Sequence, residues 1–371
     1  PYVRSVAVAV FLSTGSRHED DALAGASHFI EHMVFKGTDR WPTARDISEA
    51  VEGVGGMVNA STGRETTMYW VKVAQRHTRL AIEVLSDMLM HPLLDAEEME
   101  KERSVVIEEI NMLHDSPESL VQILINEVLW GDHPLGREIS GTKESMRAMT
   151  RESVLEYMAR NYGPARTVIS VAGAIDSAEV LDIVRDAFGG WGGGAAAEPE
   201  LFHSIQDAAR ARVTKKETEQ AHISLALPTI DRNHPDRFIL SLANTILGDG
   251  MSSRLFQQIR ERQALAYSVD SYAGFMQDTG VLEIYAGTDP TRAERALEAI
   301  LAELSRIREE PVTPEELKRA LEFNRGRLLL QMENTSAVAS WWGRQEVLPG
   351  RVYTVDEALE ALEQVTIADV Q

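Results

Sequence analysis

The sequence predicts a duplicated α+β protein: two domains of similar fold on one chain, with the chemistry kept in the first. Three observations carry that expectation. A stretch rich in glycine, alanine and proline, Gly189 to Glu200, divides the chain near its middle. On each side of it an apolar strand runs into a polar turn and then a helix. Val6 to Leu12 leads into Ser16-Arg17-His18, and Ala221 to Leu227 leads into Arg232-Asn233-His234. Later in each half, Asp-Ala-Glu-Glu-Met at 95–99 is answered by Thr-Pro-Glu-Glu-Leu at 313–317. A repeated order of elements points to one supersecondary plan used twice. The 371 residues suffice for it, since domains typically run to about 100–200. The boundaries read from the linker are 1–188, 189–204 and 205–371.

Taken in order, Arg4 to Ser13 alternates around valines and reads as a strand. A helix over Ala22 to Phe35 follows and stops near Lys36-Gly37, where glycine can take the left-handed cap. Thr43 is a suitable N-cap for an amphipathic helix to Glu52. Glycines 53, 55 and 56 break the chain before two strands, Met57 to Ser61 and Thr66 to Gln75, joined by a turn around Gly63-Arg64. Helices are expected over Arg76 to Met90, Asp95 to His114, Leu120 to Trp130, Thr150 to Asn161 and Ser177 to Phe188, with Gly131 to Gly141 irregular and a strand over Thr167 to Ala172. The linker is flexible in its glycines and stiffer at Pro199. In the second half, strands Tyr267 to Phe275 and Val281 to Gly287 precede helices Pro290 to Arg308, Thr313 to Met332 and Ser336 to Leu348. Aligning the halves puts Asn244, Leu247 and Gly248 where His28, Glu31 and His32 stand.

Composition excludes several classes. The chain is 44% hydrophobic and 26% charged, ordinary globular proportions. No apolar run approaches the roughly 18 residues a membrane span requires, so no membrane span is expected. Val6 to Leu12 is too short to span a bilayer, and it lacks a basic leader and a small-residue cleavage site, so no signal peptide is expected. The chain starts at Pro1 and stops just after a helical pattern, so both ends are expected to have been trimmed, and whether a targeting segment went with them is open. There is no cysteine, which removes disulfides, thiolate metal sites and cysteine nucleophiles and suits a reducing compartment such as the cytoplasm. The net charge of −21, from 37 basic and 58 acidic residues, argues against nucleic acid as a partner. Solubility explains such acidity, and so does an acidic chamber that attracts basic peptides.

The densest set of metal-ligand residues is His28-Phe29-Ile30-Glu31-His32. On a helix, residues four apart project about 40° from one another, so both imidazoles share a face. Two imidazoles so placed can hold a divalent cation, and Zn²⁺ is the usual occupant of open, nitrogen-rich sites. Glu31 is close enough to act as a base on water at such a cation. His-x-x-Glu-His is the inverzincin signature, although five residues alone equally describe an amphipathic helix with two ordinary histidines. A catalytic zinc takes three protein ligands. The helix from Asp95 to His114 offers six glutamates, of which Glu102 and Glu109 are two turns apart and share a face to within about 20°. That face also carries Val105 and Val106 and is expected to be buried, and a buried carboxylate needs a partner or a metal. Glu108 lies about 100° away and reads as a solvated charge.

His28-Phe-Ile-Glu31-His32, followed by 76 residues and then Glu109, resembles the signature of the M16 (pitrilysin/insulinase) metallopeptidases, which include mitochondrial processing peptidases. The similarity extends to Gly15-Ser-Arg17-x-Glu19, Met33-x-Phe-Lys-Gly-Thr38, Asn59-Ala-Ser-Thr62, Thr67-x-Tyr69 and Glu102-Arg-x-Val-x-x-x-Glu109, and spans the whole chain. It implies two domains of the LuxS/M16 type, each a largely antiparallel sheet packed with helices. It implies His28, His32 and Glu109 as ligands of one Zn²⁺ per chain, Glu31 as the general base and Glu102 as a partner that orients a histidine. Arg260 and Tyr267, in Arg-x₆-Tyr of the second half, match the family's pair that reaches the zinc. Asn59 and Ala60 match an exposed edge strand on which a peptide can lie as an added strand. The function so implied is a zinc endopeptidase acting on peptides or unfolded segments, as a homodimer or with a related subunit. A non-catalytic scaffolding homologue would have lost the ligands or the base, all of which are present; an active subunit that needs an inactive partner chain stays open. The expected location is a bacterial cytoplasm, or the mitochondrial matrix if a targeting segment was removed. The other eight histidines receive no role, and Trp341-Trp342 reads as core or interface.

Overall fold

The computed structural model describes residues 3–194, 198–203, 206 and 208–371. Parts of the linker read over 189–204 (195–197 and 204), and the boundary at 205, lie outside the described residues. The first half contains β1 (Ser5–Leu12), α1 (Ala26–Met33), α2 (Ala44–Glu52), β2 (Met57–Thr62), β3 (Thr67–Ala74), α3 (Thr78–Met90), α4 (Ala96–Asp115), α5 (Pro117–Trp130), α6 (Lys143–Ala148), α7 (Arg151–Asn161), β4 (Thr167–Gly173) and α8 (Ser177–Phe188). The second contains β5 (Ala221–Thr229), α9 (Arg237–Leu247), a π-helical segment Phe256–Arg262, β6 (Ala266–Phe275), β7 (Gly280–Thr288), α10 (Ala293–Glu309), α11 (Pro314–Gln331), α12 (Thr335–Val347), α13 (Val355–Glu363) and α14 (Ile367–Val370).

Local chemistry explains where these elements depart from expectation. α1 starts at Ala26, four residues later than predicted, because Gly25 takes φ 92° against Ser140, whose carbonyl oxygen would lie 2.5 Å from an added Cβ. α5 starts at Pro117 rather than Leu120. Ser116 accepts from the Ser119 amide, and proline fills the first helical position. The unpredicted α6, α13 and α14 each open on a threonine capping box, Thr142 with Ser145, Thr354 with Glu357 and Thr366 with Asp369.

Among the described residues the strands form two antiparallel sheets, ordered β2-β3-β1-β4 and β5-β7-β6. The order β6-β7-β5 repeats β2-β3-β1, which is the duplication anticipated from the sequence. Where the linker divides the chain once, the compact units are discontinuous. One comprises Pro1–Met112, Arg137–Glu200 and Gln331–Pro349; the other comprises Leu113–Gly136, Leu201–Leu330 and Gly350–Gln371. α5 therefore belongs to the unit of the second sheet and α12 to that of the first. Each helix follows the long helix of its own half, α4 or α11, so the two excursions are equivalent in chain position.

In the first unit β1 is central and buried on both faces. Val6, Val8, Val10 and Leu12 join Phe29, Ile30 and Met33 of α1 in the main core. Ala7, Ala9 and Phe11 face α12, where a Cβ on Gly343 would meet the Phe11 ring at 2.2 Å. In the second unit one core gathers Leu247, Ile259, Ile284 and Ile300, and another gathers Leu242, Val312, Ala320 and Leu362. Among the described residues no helix is long and apolar enough to cross a membrane.

Candidate metal centre

α1 presents His28 and His32 from one face while Phe29, Ile30 and Met33 sink into the core on the other. The helix start is held from outside. The buried Glu19 carboxylate accepts the amides of Gly25 and Ser27, each at 2.7 Å, which satisfies donors that the first turn leaves open. The imidazole centroids lie 4.7 Å apart with planes at 72°. Opposite them runs α4, anchored by Val106 and Ile110. Val105 corrects one expectation: it is 43% exposed, so the face carrying Glu102 and Glu109 is buried only on the Val106 side. Glu108 is exposed, as expected.

Glu109 Oε2 lies 3.8 Å from His28 Nε2 and 3.6 Å from His32 Nε2. Both separations exceed a hydrogen bond. They approach the roughly 3.3 Å between ligand atoms arranged tetrahedrally about a Zn²⁺ with bonds of about 2.0–2.1 Å. Among the described residues this is the one group of three or more such side chains able to offer ligand atoms to a single ion, all within 4.8 Å of one another. The donor set also fits chemically. Burial lowers the His28 imidazole to about 4, so it stays neutral and keeps a lone pair to donate.

The surrounding side chains orient this set. His32 Nδ1 lies 3.1 Å from Glu102 Oε2, and the other Glu102 oxygen lies 2.5 Å from Lys36 Nζ. His28 has no equivalent, since its Nδ1 is buried without a hydrogen-bond partner. Glu31, half-buried beside His32, accepts a 2.5 Å hydrogen bond on Oε2 from the Thr62 hydroxyl at the end of β2. Desolvation raises the Glu31 carboxyl above its ordinary value, and the Thr62 hydrogen bond opposes it.

Thr62 is fixed because the β2–β3 turn is clamped. Gly63 and Arg64 carbonyls accept the amides of Ser16 and Arg17, and the buried Arg17 guanidinium pairs with Glu65 at 2.8 Å. Asn59 and Ala60 lie on β2, the outer strand of its sheet. The Asn59 side chain is turned back onto its own strand, accepting the Ala60 amide at 2.8 Å.

Arg260 and Tyr267 belong to the other unit. The structure brings them to one another: the Arg260 guanidinium sits 5.2 Å over the Tyr267 ring and 4.7 Å over that of Phe256, and Tyr267 is 74% exposed. At the positions aligned with the metal-centre residues, the second unit has Asn244 on α9 bonded to Ser271 of β6 at 2.7 Å. Gly248 packs so closely there that a Cβ would meet Ser271 Oγ at 2.3 Å. Sequence reasoning assigned no role to Thr62, Lys36 or Glu19. Lys36 carried a usable signal, four residues past His32. Glu19 accepts amides six and eight residues on, a spacing that matches no regular helix cap, and the Thr62–Glu31 contact is tertiary, 31 residues apart.

Residues 1–143 match the family described as "Insulinase (Peptidase family M16)", and residues 148–323 match "Peptidase M16 inactive domain". The chain belongs to the M16 peptidase family. Its M16 relatives include the "Uncharacterized zinc protease YmxG" of Bacillus subtilis, 40% identical over all of this chain and 90% of that protein. Another "Uncharacterized zinc protease", from Streptomyces coelicolor, is 37% identical over all of this chain and 82% of its own length. The same fold is seen in "The crystal structure of a protease from Helicobacter pylori", with a TM-score of 0.94 at 24% identity, covering 99% of this chain and 90% of that one.

Proposed function

We propose that this M16 chain is a zinc-dependent endopeptidase in which His28, His32 and Glu109 hold the ion and Glu31 is the general base. The observation that carries the reading is the convergence of two imidazole Nε2 atoms and one carboxylate oxygen beside a second, independently anchored carboxylate. Zinc bound there supplies a Lewis acid, which makes water acidic enough to lose a proton near neutral pH and polarises a peptide carbonyl. The protein's part is to place and move protons. With Oε2 of Glu31 held by Thr62, Oε1 takes the proton of the attacking water and delivers it to the departing amine nitrogen. Glu102 holds His32 by Nδ1, so that its Nε2 remains the donor atom.

The substrate is an extended peptide or an unfolded segment laid along β2, where backbone bonding gives little sequence preference. Basic peptides suit the acidic chain. Asn59 would release the Ala60 amide as the peptide engages it. Arg260 and Tyr267 are proposed to stabilise the oxyanion with a cation and a phenol hydroxyl; their mutual stacking supports a joint role. The active form is proposed to be a dimer, of two copies or of one copy with a related subunit.

Chelation tests the reading. Stripping metal should abolish hydrolysis of an unstructured peptide, and one equivalent of zinc should restore it. Glu109→Gln should lose zinc while Glu108→Gln keeps it. Hydrolysis that survives complete removal of metal would overturn the proposal.

A further inference from the structure

The two imidazoles of the site are held unequally. His28 Nδ1 has no partner, whereas His32 Nδ1 is bonded to a carboxylate that is itself gripped from its far side. We propose that Lys36 is a positioning residue for the metal centre, locking Glu102 so that His32 presents Nε2 toward Glu109. This rests on the zinc-site reading above and names a part of it that the ligand motif does not contain.

Glu102 is buried, its side chain only 8% exposed, and each carboxylate oxygen has one partner: Oε1 the Lys36 ammonium at 2.5 Å, Oε2 the His32 ring at 3.1 Å. A buried carboxylate is retained only where its charge is compensated. Among the described residues Lys36 is the cation paired with it. The backbone delivers Lys36 to that position. α1 ends at Met33, the Lys36 amide closes a turn onto the Met33 carbonyl at 3.0 Å, and Gly37 leaves at φ 137° with the Pro42 carbonyl 2.4 Å from where a Cβ would stand. The ammonium therefore returns over the same α1 face that carries His32. Without it, Glu102 Oε1 has no partner, the carboxylate can turn about its side-chain torsions toward water, and the His32 ring loses the acceptor that fixes its orientation. Groups that orient metal-bound histidines typically account for about 10–100-fold in metal affinity.

The test is zinc affinity of the full chain, measured by competition between metal-free protein and a chromogenic chelator with zinc ion as the probe. Lys36→Met, which keeps the apolar stem, should weaken zinc binding about 10–100-fold. Lys36→Arg, which restores a cation, should return most of it. In a Glu102→Gln background Lys36→Met should change nothing further, because Lys36 acts through Glu102. Thermal unfolding of the metal-free variants identifies misfolding, and Lys36→Arg keeps the comparison informative if Lys36→Met does not fold. Equal zinc affinity in wild type and Lys36→Met overturns the proposal, as does an undiminished loss in the Glu102→Gln background. A wild type that binds no zinc overturns the metalloenzyme reading itself, a result distinct from either.

Discussion

Glu31 is aimed by a strand rather than by its own helix: Thr62, the last residue of β2, holds one of its carboxylate oxygens at 2.5 Å. Thr62→Val keeps the volume and removes the donor. A hydrogen bond to a charged group contributes about 1.5–3 kcal/mol. If that bond aligns the base during the chemical step, kcat should fall about 10–100-fold with KM and zinc content little changed, and Thr62→Ser should recover most of it. Unchanged steady-state kinetics in Thr62→Val would remove Thr62 from the account. The histidines were legible in the sequence because their four-residue spacing is itself a statement about a helix face, and the seven-residue interval likewise singled out Glu102 and Glu109. Thr62 was not legible as the anchor of Glu31, since the two are 31 residues apart and meet only once β2 has docked beside α1. Val105 failed for a related reason. Helix phase names the residues that share a face and does not say how much of that face a neighbour covers.

At the level of elements, the hairpin that carries Thr62 is secured by a buried ion pair. Arg17 is 1% exposed and Glu65 8%, and the same guanidinium also donates to the Glu200 carbonyl at 2.7 Å. Breaking a buried ion pair by removing one member typically costs about 3–5 kcal/mol. Arg17→Met should therefore lower the unfolding free energy extrapolated from urea titration by about that much, and a loss below about 1 kcal/mol would show that the pair does not hold the hairpin. The packing of α12 on β1 has its own test. Gly343→Ala would drive a methyl group into the Phe11 ring, and overpacking of this kind costs about 1–3 kcal/mol. The strands and long helices were readable from alternation and amphipathic spacing. The four-residue delay of α1 was not, because it depends on Gly25 meeting Ser140, a contact across more than a hundred residues.

For the molecule as a whole, the plan of two related halves was present in the order of elements and in the paired motifs near residues 95 and 313. The assignment of α5 to the second sheet's unit and of α12 to the first sheet's was not, since a helix's amphipathic pattern does not say which sheet it covers. Stability under acid follows in part from the second unit. Arg254 donates to both oxygens of Glu316 at 2.8 and 2.9 Å, and these bonds pull the carboxyl from 4.5 down to about 2. A carboxyl lowered on folding stabilises the protein fully above its unfolded value and loses that contribution as pH falls. The window here runs from about pH 4.5 down through about 2. Acid titration of Arg254→Met should show unfolding at higher pH than wild type, with little difference in the shape of the curve above pH 5; coincident acid limbs would remove the pair from the account.

The proposed mechanism has one carboxylate moving protons beside a zinc ion held by three other side chains. Its most direct measurement is Glu31→Gln, assayed on one preparation for zinc content and for hydrolysis of an unstructured peptide. One zinc per chain is expected, as in wild type, with hydrolysis reduced by about 10²–10⁴ or more. Glu31→Gln protein that hydrolyses the peptide at the wild-type rate would contradict it.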